Sequence, residues 1–143
     1  MLSNKKIICP DNLINYAKKI GTVNAAIVNA GEIFPMESVH KAVQHNLINP
    51  IFIGNEKNIN KYAEKLKWDI SKYKIINEEN ENNTAPISAK LASDNKVKII
   101  VKGHIHTDVL MKAVLKRDLN LIGKKRLSHV WHMTLDKNDK PFI

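Results

Sequence analysis

The sequence has a single cysteine, Cys9, so no internal disulfide framework is possible and a reducing compartment is the expected setting. No neighbour of Cys9 would activate its thiol, so a cysteine nucleophile is not expected. Arginine is almost missing: Arg117 and Arg126 stand against 21 lysines, and the net charge of +9 is carried by lysine. Lysine, asparagine and isoleucine together supply 57 residues, a bias that reads as drift toward AT-rich codons rather than a selected basic surface. The lysines are spread over most of the expected helices, whereas a nucleic-acid binder would gather them into one stripe. No nucleic-acid partner is therefore expected. No apolar run approaches the roughly 20 residues that cross a bilayer. The start, MLSNKKIICPD, is too short in apolar residues for a secretory signal. A cytoplasmic protein with no membrane partner is the expectation.

What the chain does have is a regular rhythm. Its 143 residues are enough for one domain with a core of its own, and 43% of them are hydrophobic. Helix spacing is expected over residues 11–20, capped by Asp11, with Leu13, Tyr16, Ala17 and Ile20 inward. A short buried strand at 25–29 precedes a helix entered at Pro35, whose inner face is Met36, Val39, Val43 and Leu47 and which Asn49-Pro50 should stop. Residues 51–53 read as the next strand and 56–66 as a helix with Ile59, Ala63 and Leu66 inward. Trp68 and Ile70 should pack beneath its end. A strand at 72–76, a polar loop at 78–83 and a helix at 86–93 facing inward through Ile87, Leu91 and Ala92 complete the series. Strict alternation at crossover spacing predicts a parallel sheet with right-handed connections.

Residues 97–130 organise the rest. The β-branched run from Val97 to Val101 reads as a central strand covered on both faces. Gly103 follows as a turn that lets backbone come close to a ligand. Thr107 is the expected cap of a helix with Leu110, Ala113, Val114 and Arg117 at helical spacing. A strand's carboxyl end leading into a helix's amino end is where open α/β sheets hold anions. Lys102, Lys112, Lys116, Arg117, Lys124, Lys125 and Arg126 crowd this stretch, which suits a phosphorylated ligand, although an ordinary strand–turn–helix with a solvated basic face accounts for the same pattern. After Gly123 the rhythm changes to a β-hairpin, with strands at 127–135 and from 140, and a turn at 136–139. The bare Pro141-Phe142-Ile143 ending reads as a truncation.

Two histidine pairs, His104 with His106 and His129 with His132, could meet to bind zinc. Their spacing is unspecific, residues three apart on a strand face opposite ways, and neither pair includes a carboxylate. No metal is expected. His104, His106 and His129 are read instead as lining the turn, where an imidazole can donate to phosphate oxygens.

Four segments in order, AAIVNAG at 25–31, NPIFIGNEKNI at 49–59, KGHIHTDVLMKAVL at 102–115 and RLSHVWHM at 126–133, resemble the amino-terminal half of the phosphate acetyltransferase and phosphate butyryltransferase family. The resemblance covers nearly all of the chain after about residue 21. Its most specific element is the Lys-Gly-x-x-x-Thr turn followed by Ser-His-Val. It implies an acyltransferase moving an acyl group, acetyl by preference, between coenzyme A and inorganic phosphate. It implies a fold like that of isocitrate and isopropylmalate dehydrogenases, with two α/β domains and a cleft, usually as dimers. No cofactor is implied, since the coenzyme A thioester and phosphate are substrates. By matching positions, Lys102, Gly103, Thr107, Ser128 and His129 would line the cleft, and Lys124, Lys125 and Arg126 would suit the phosphates of coenzyme A. Residues 1–143 would be the family's amino-terminal α/β part. Its main catalytic Ser/Arg/Asp constellation would lie beyond Ile143, so no residue here takes that role. A butyryl specificity and a non-enzymatic remnant of a truncated gene are the alternatives.

Overall fold

The computed structural model describes residues 9–123, 127–128, 130, 133–134 and 141–142. Within them the elements run α1 (Asp11–Ile20), β1 (Val23–Val28), α2 (Ile33–Gln44), β2 (Ile48–Gly54), α3 (Glu56–Lys65), β3 (Lys74–Asn77), α4 (Glu81–Ser93), β4 (Ile99–Lys102) and α5 (Thr107–Val114), then a 3-10 turn, Arg117–Leu119. The hairpin expected near the end is present as β5 (Met133–Thr134) paired antiparallel with β6 (Pro141–Phe142). Leu127, Ser128 and Val130 lie outside any strand, so the first arm is shorter than expected.

The four longer strands form one parallel sheet in the order β3-β2-β1-β4, with Ala26 opposite both Ile51 and Ile100. The strand expected to be central is thus an edge of the sheet among the described residues, and Ile99 on it is exposed. The centre is β1 and β2. Side chains alternate along β1: Ala25 and Ile27 pack with α2 and α3 through Met36, Val39, Ile59 and Ala63. Val28 packs on the opposite side with Ala85 and Ala89 of α4 and Leu110 and Ala113 of α5, and Ala26 joins Leu91 there. This is the period-two pattern of a sheet covered on both faces. Phe52 is fully buried and meets Trp68 and Tyr73 edge-on, and Trp68 stacks flat on His40 at 4.6 Å.

Several expected boundaries move, each for a local reason. Asn49-Pro50 does not stop α2 but lies inside β2. The carbonyls of Leu47 and Ile53 accept from Val23 and Ala30 on the β1 side, whereas that of Gly54 accepts from Glu78 on the β3 side. Alternation therefore points Pro50's missing N–H toward β3, which begins only at the level of Ile51. Helix α2 ends instead at Asn46 (φ 57°), where Asn46 donates to Val43 O and Leu47 to Ala42 O. The same paired bonds close α3 at Lys67 and α4 at Asn95. With only 5 glycines in the chain, the left-handed closing position falls to asparagine twice and to lysine once.

The polar run at 78–83 is loop only at its start. Asn80 accepts from Asn82 N and caps α4, which begins at Glu81 and carries Pro86 inside it. The helix buries Thr84, Ala85, Ser88, Ala89 and Leu91, a small-residue face rather than the expected Ile87 and Ala92, which are half-buried. Thr84 and Ser88 satisfy their hydroxyls on the carbonyls of Glu81 and Ala85, so their burial leaves nothing unpaired. Helix α1 forms as expected, entered from Pro10 rather than Asp11, but none of its residues is buried. Tyr16 and Ile20 are both 68% exposed, so the expected inner face meets no core among the described residues.

Candidate functional site

β1 starts the sheet, β2 and β3 lie to one side of it and β4 to the other. The chain thus reverses direction of growth between β1 and β4, and crevices at such a point, at the carboxyl ends of the strands, are where this architecture holds ligands. The rim there is built by Asn29 after β1, Asn55 after β2, Asn77 at the end of β3, the Lys102-Gly103-His104 turn after β4, and Glu81 from the start of α4.

Gly103 is fixed by the protein's own backbone. A Cβ at this position would come to 2.4 Å from Val28 O and 2.5 Å from Asn29 O. Its N–H donates to Val28 O at 2.8 Å, and His104 N–H donates to Asn29 O at 3.0 Å. Asn29 answers by donating its side-chain amide to His104 O. Asn29 can do so because it turns left-handed at φ 53°, a conformation asparagine tolerates. The close approach expected at this glycine is therefore that of β1 onto the turn, which closes the base of the crevice.

The helix amino ends around the rim differ in what they leave open. In α3, Glu56 N–H donates to Asn77 Oδ1 at 3.0 Å and Asn58 N–H to Asn55 Oδ1 at 2.9 Å, so this end is capped by asparagine. In α5 the cap is His106, not Thr107, and no side chain of its own caps the end. There the protein supplies a carboxylate. Glu81 Oε1 accepts from His106 N at 2.7 Å and lies 2.8 Å from His106 Nδ1. These two bonds, with the His106 and His104 charges behind them, hold the Glu81 carboxyl below its ordinary range. A carboxylate is the kind of anion that a strand–turn–helix is built to receive.

Of the residues singled out in the sequence, Lys102, Gly103 and Thr107 come together on this turn, with Lys102 and Thr107 exposed. Ser128 is exposed and outside any helix or strand. Lys124, Lys125, Arg126 and His129 lie outside the described residues. Lys112 is paired with Asp108 at 3.1 Å along α5, which lowers the Asp108 carboxyl and partly neutralises that lysine. Glu81, Asn29 and Asn55 were missed. The signal for Glu81 was the Asn80-Glu81 pair, a cap followed by an acid in the first turn, hidden inside a polar run. Two surface recesses lie elsewhere. One, of about 540 Å³, runs along α3 beside Glu56, Trp68 and Tyr73, and the other, of about 600 Å³, lies by Thr22, Asn46 and Lys72 at the amino ends of the strands. The carboxyl rim carries the chemistry; the first recess touches it only through Glu56 at the start of α3, and the second lies at the opposite end of the strands.

No protein-family model matches the chain. It is 32% identical over 132 residues to the phosphate acetyltransferase of Rickettsia typhi, which is 92% of this chain and 38% of that protein. It is 26% identical over 120 residues to the phosphate butyryltransferase of Clostridium beijerinckii, 84% of this chain and 40% of that protein. The chain thus spans well under half the length of the curated relatives it matches. Among solved structures it is similar to the EutD phosphotransacetylase of Staphylococcus aureus, with a TM-score of 0.66 and 18% identity over 92% of this chain and 49% of that one. A branched-chain phosphotransacylase from Enterococcus faecalis matches with a TM-score of 0.53 and 23% identity, over 68% of this chain and 33% of that one. At these identities the two structures speak for a shared α/β fold.

Proposed function

We propose that the chain is a member of the phosphate acetyltransferase and phosphate butyryltransferase family and serves the transfer of an acetyl group between coenzyme A and inorganic phosphate. The observation that carries this reading is the 32% identity to a phosphate acetyltransferase along 92% of the chain. The chemistry asks for cations that hold two anionic reactants together and donors that stabilise an oxyanion at the thioester carbon. On this reading Lys102, Gly103, Thr107, Ser128, His129 and the basic run Lys124, Lys125 and Arg126 line the site. The sheet is then one part of an isocitrate and isopropylmalate dehydrogenase-like fold, working as a homo-oligomer in the cytoplasm, with small-molecule substrates and no resident cofactor. The residues that carry the acyl-transfer step itself are left unassigned.

The test is formation of acetyl phosphate from acetyl-CoA and phosphate by the purified 143-residue chain, alongside direct binding of coenzyme A. Turnover, or coenzyme A binding that phosphate analogues compete for, supports the reading. A folded chain that binds neither coenzyme A nor phosphate, but binds duplex DNA with a steep salt dependence, sinks it. The match to a butyryltransferase favours running butyryl-CoA in parallel. Lys102→Ala should weaken coenzyme A or phosphate binding by about 10-fold, the loss of one charge-assisted contact. An unchanged dissociation constant would remove Lys102 from the site.

A further inference from the structure

β4 is four residues long, and among the described residues it pairs with β1 alone. Gly103 N–H donates to Val28 O, and alternation back along the strand turns the N–H and C=O of Ile100 and Lys102 away from β1. These outward groups meet no partner among the described residues. Side chains are left open in the same place. Ala26 and Ile27 on β1 are wholly buried, whereas Ile99 is 42% exposed and Ile100 and Val101 are only half-buried. Val101 joins the core beneath α2 and α3, but those helices pack over β2 and β3 and leave Ile99, on the same face, outside their cover.

Two lysines flank this stretch. Lys98 and Lys102 alternate onto the face of Ile100, both are exposed, and neither is in an ion pair among the described residues. Lys98 Nζ reaches the neutral Asn95 Oδ1 at 3.3 Å. Lysines on an edge strand ward off a second copy of that edge. Pairing β4 with itself would gather Lys98 and Lys102 from both copies on one face, where like charges repel. The same charges suit a strand of opposite sign. This sequence does not supply one, since no two of its 14 acidic residues stand four positions apart, the spacing of Lys98 and Lys102.

We propose that the β4 edge receives an extended segment of a separate protein, with acidic residues opposite Lys98 and Lys102 and apolar residues opposite Ile99 and Val101. Such a segment reads acid, apolar, any, apolar, acid, and the pattern is the same in either chain direction. Its main chain takes up the free groups of Ile100 and Lys102, its apolar side chains cover Ile99, and its carboxylates pair the lysines. This strand addition does not rest on the acyl-transfer reading. Lys102 figures in both, so the charge test is made at Lys98.

The probe is a fluorescein-labelled peptide, Ser-Glu-Val-Thr-Val-Glu-Ser, titrated with the 143-residue chain and read by anisotropy. A scrambled peptide of the same composition controls for general attraction to a chain of net charge +9. The ordered peptide should bind at least about 10-fold more tightly than the scrambled one, and at saturation it should slow amide exchange of Ile100 and Lys102 by about 10-fold or more. Lys98→Glu should weaken the ordered peptide by about fivefold, the loss of one cross-strand charge pair. A peptide with either its first or its second glutamate changed to lysine should regain that loss on this variant, and which of the two does so reports the strand direction. Main-chain amide shifts of β1 and β2 show that the variant is folded. No binding, equal binding of the scrambled peptide, or exchange at Ile100 and Lys102 that the peptide leaves unchanged overturns the proposal. Exchange there that slows with protein concentration alone overturns it too, by giving the edge to a second copy of the chain.

Discussion

Lys67 closes helix α3 in a left-handed conformation, φ 51°, that α2 and α4 give to asparagine. A lysine Cβ there crowds the following carbonyl, at a cost of about 1 kcal/mol or somewhat more. Both closing bonds are made by main-chain atoms, Lys67 N to Glu64 O and Trp68 N to Ala63 O, so glycine keeps them. Lys67→Gly should raise stability by about 1 kcal/mol, read from the urea midpoint; a fall would mean that the lysine side chain makes a contact that outweighs the strain. Gly103 is the opposite case. The nearest atoms to an added Cβ are main-chain oxygens, which cannot swing aside, so Gly103→Ala should cost about 3 kcal/mol or more. A loss under about 1 kcal/mol would show that β1 and the turn can part cheaply. Gly103 could be read in the sequence as a turn, but not what its missing side chain avoids: Val28 and Asn29 lie some seventy-five residues away along the chain, as the Asn29–His104 bond shows.

Elements were legible where periodicity ran long and illegible where polar residues did structural work. Helix α3 with its packing face, and the Met36 and Val39 face of α2, follow from spacing alone, whereas the end of α2 does not. The start of α4 does not, because Asn80, Glu81, Asn82 and Asn83 look like a solvated loop until Asn80 is seen accepting from the helix. The same misreading hid the link between α4 and α5, since Glu81 reaches from the first turn of one to the cap of the other. That link is sensitive to acid. The folded-state pKa of Glu81 is lowered from the ordinary 4.5, so its contribution is fully present above 4.5 and is lost as pH falls through the depressed folded value. Between pH 5 and pH 3 the unaltered chain should therefore lose more stability than Glu81→Gln, which has nothing to protonate. Parallel losses in the two proteins would mean that the carboxylate adds no stability through this contact.

At the scale of the whole molecule, the alternation of strands and helices announced a parallel sheet, but the order of strands within it was out of reach. A β-branched run such as residues 97–101 looks the same whether it becomes a centre or an edge, because that depends on which distant strand pairs first. The candidate site shares this fate: the Lys102–Thr107 turn was visible as a motif, while its place at the β1–β4 reversal follows only from the pairing. Helix α1 makes the limit plain from the other side. Its apolar stripe is as clear as that of any helix in the chain, yet the described residues bury none of it. Apolar spacing reports that a face could be buried, and burial itself requires a surface to meet. Stability should divide along that line. Phe52, fully buried and edge-on to Trp68 and Tyr73, should cost about 3–5 kcal/mol when changed to alanine. Tyr16→Ser on α1 should stay within about 0.5 kcal/mol, as for other exposed positions. Both are measured by urea unfolding of the isolated chain, with protein concentration varied. A Tyr16→Ser loss of more than about 1 kcal/mol would mean that the stripe on α1 is covered in solution, and a loss that grows with protein concentration would identify the cover as a second copy of the chain.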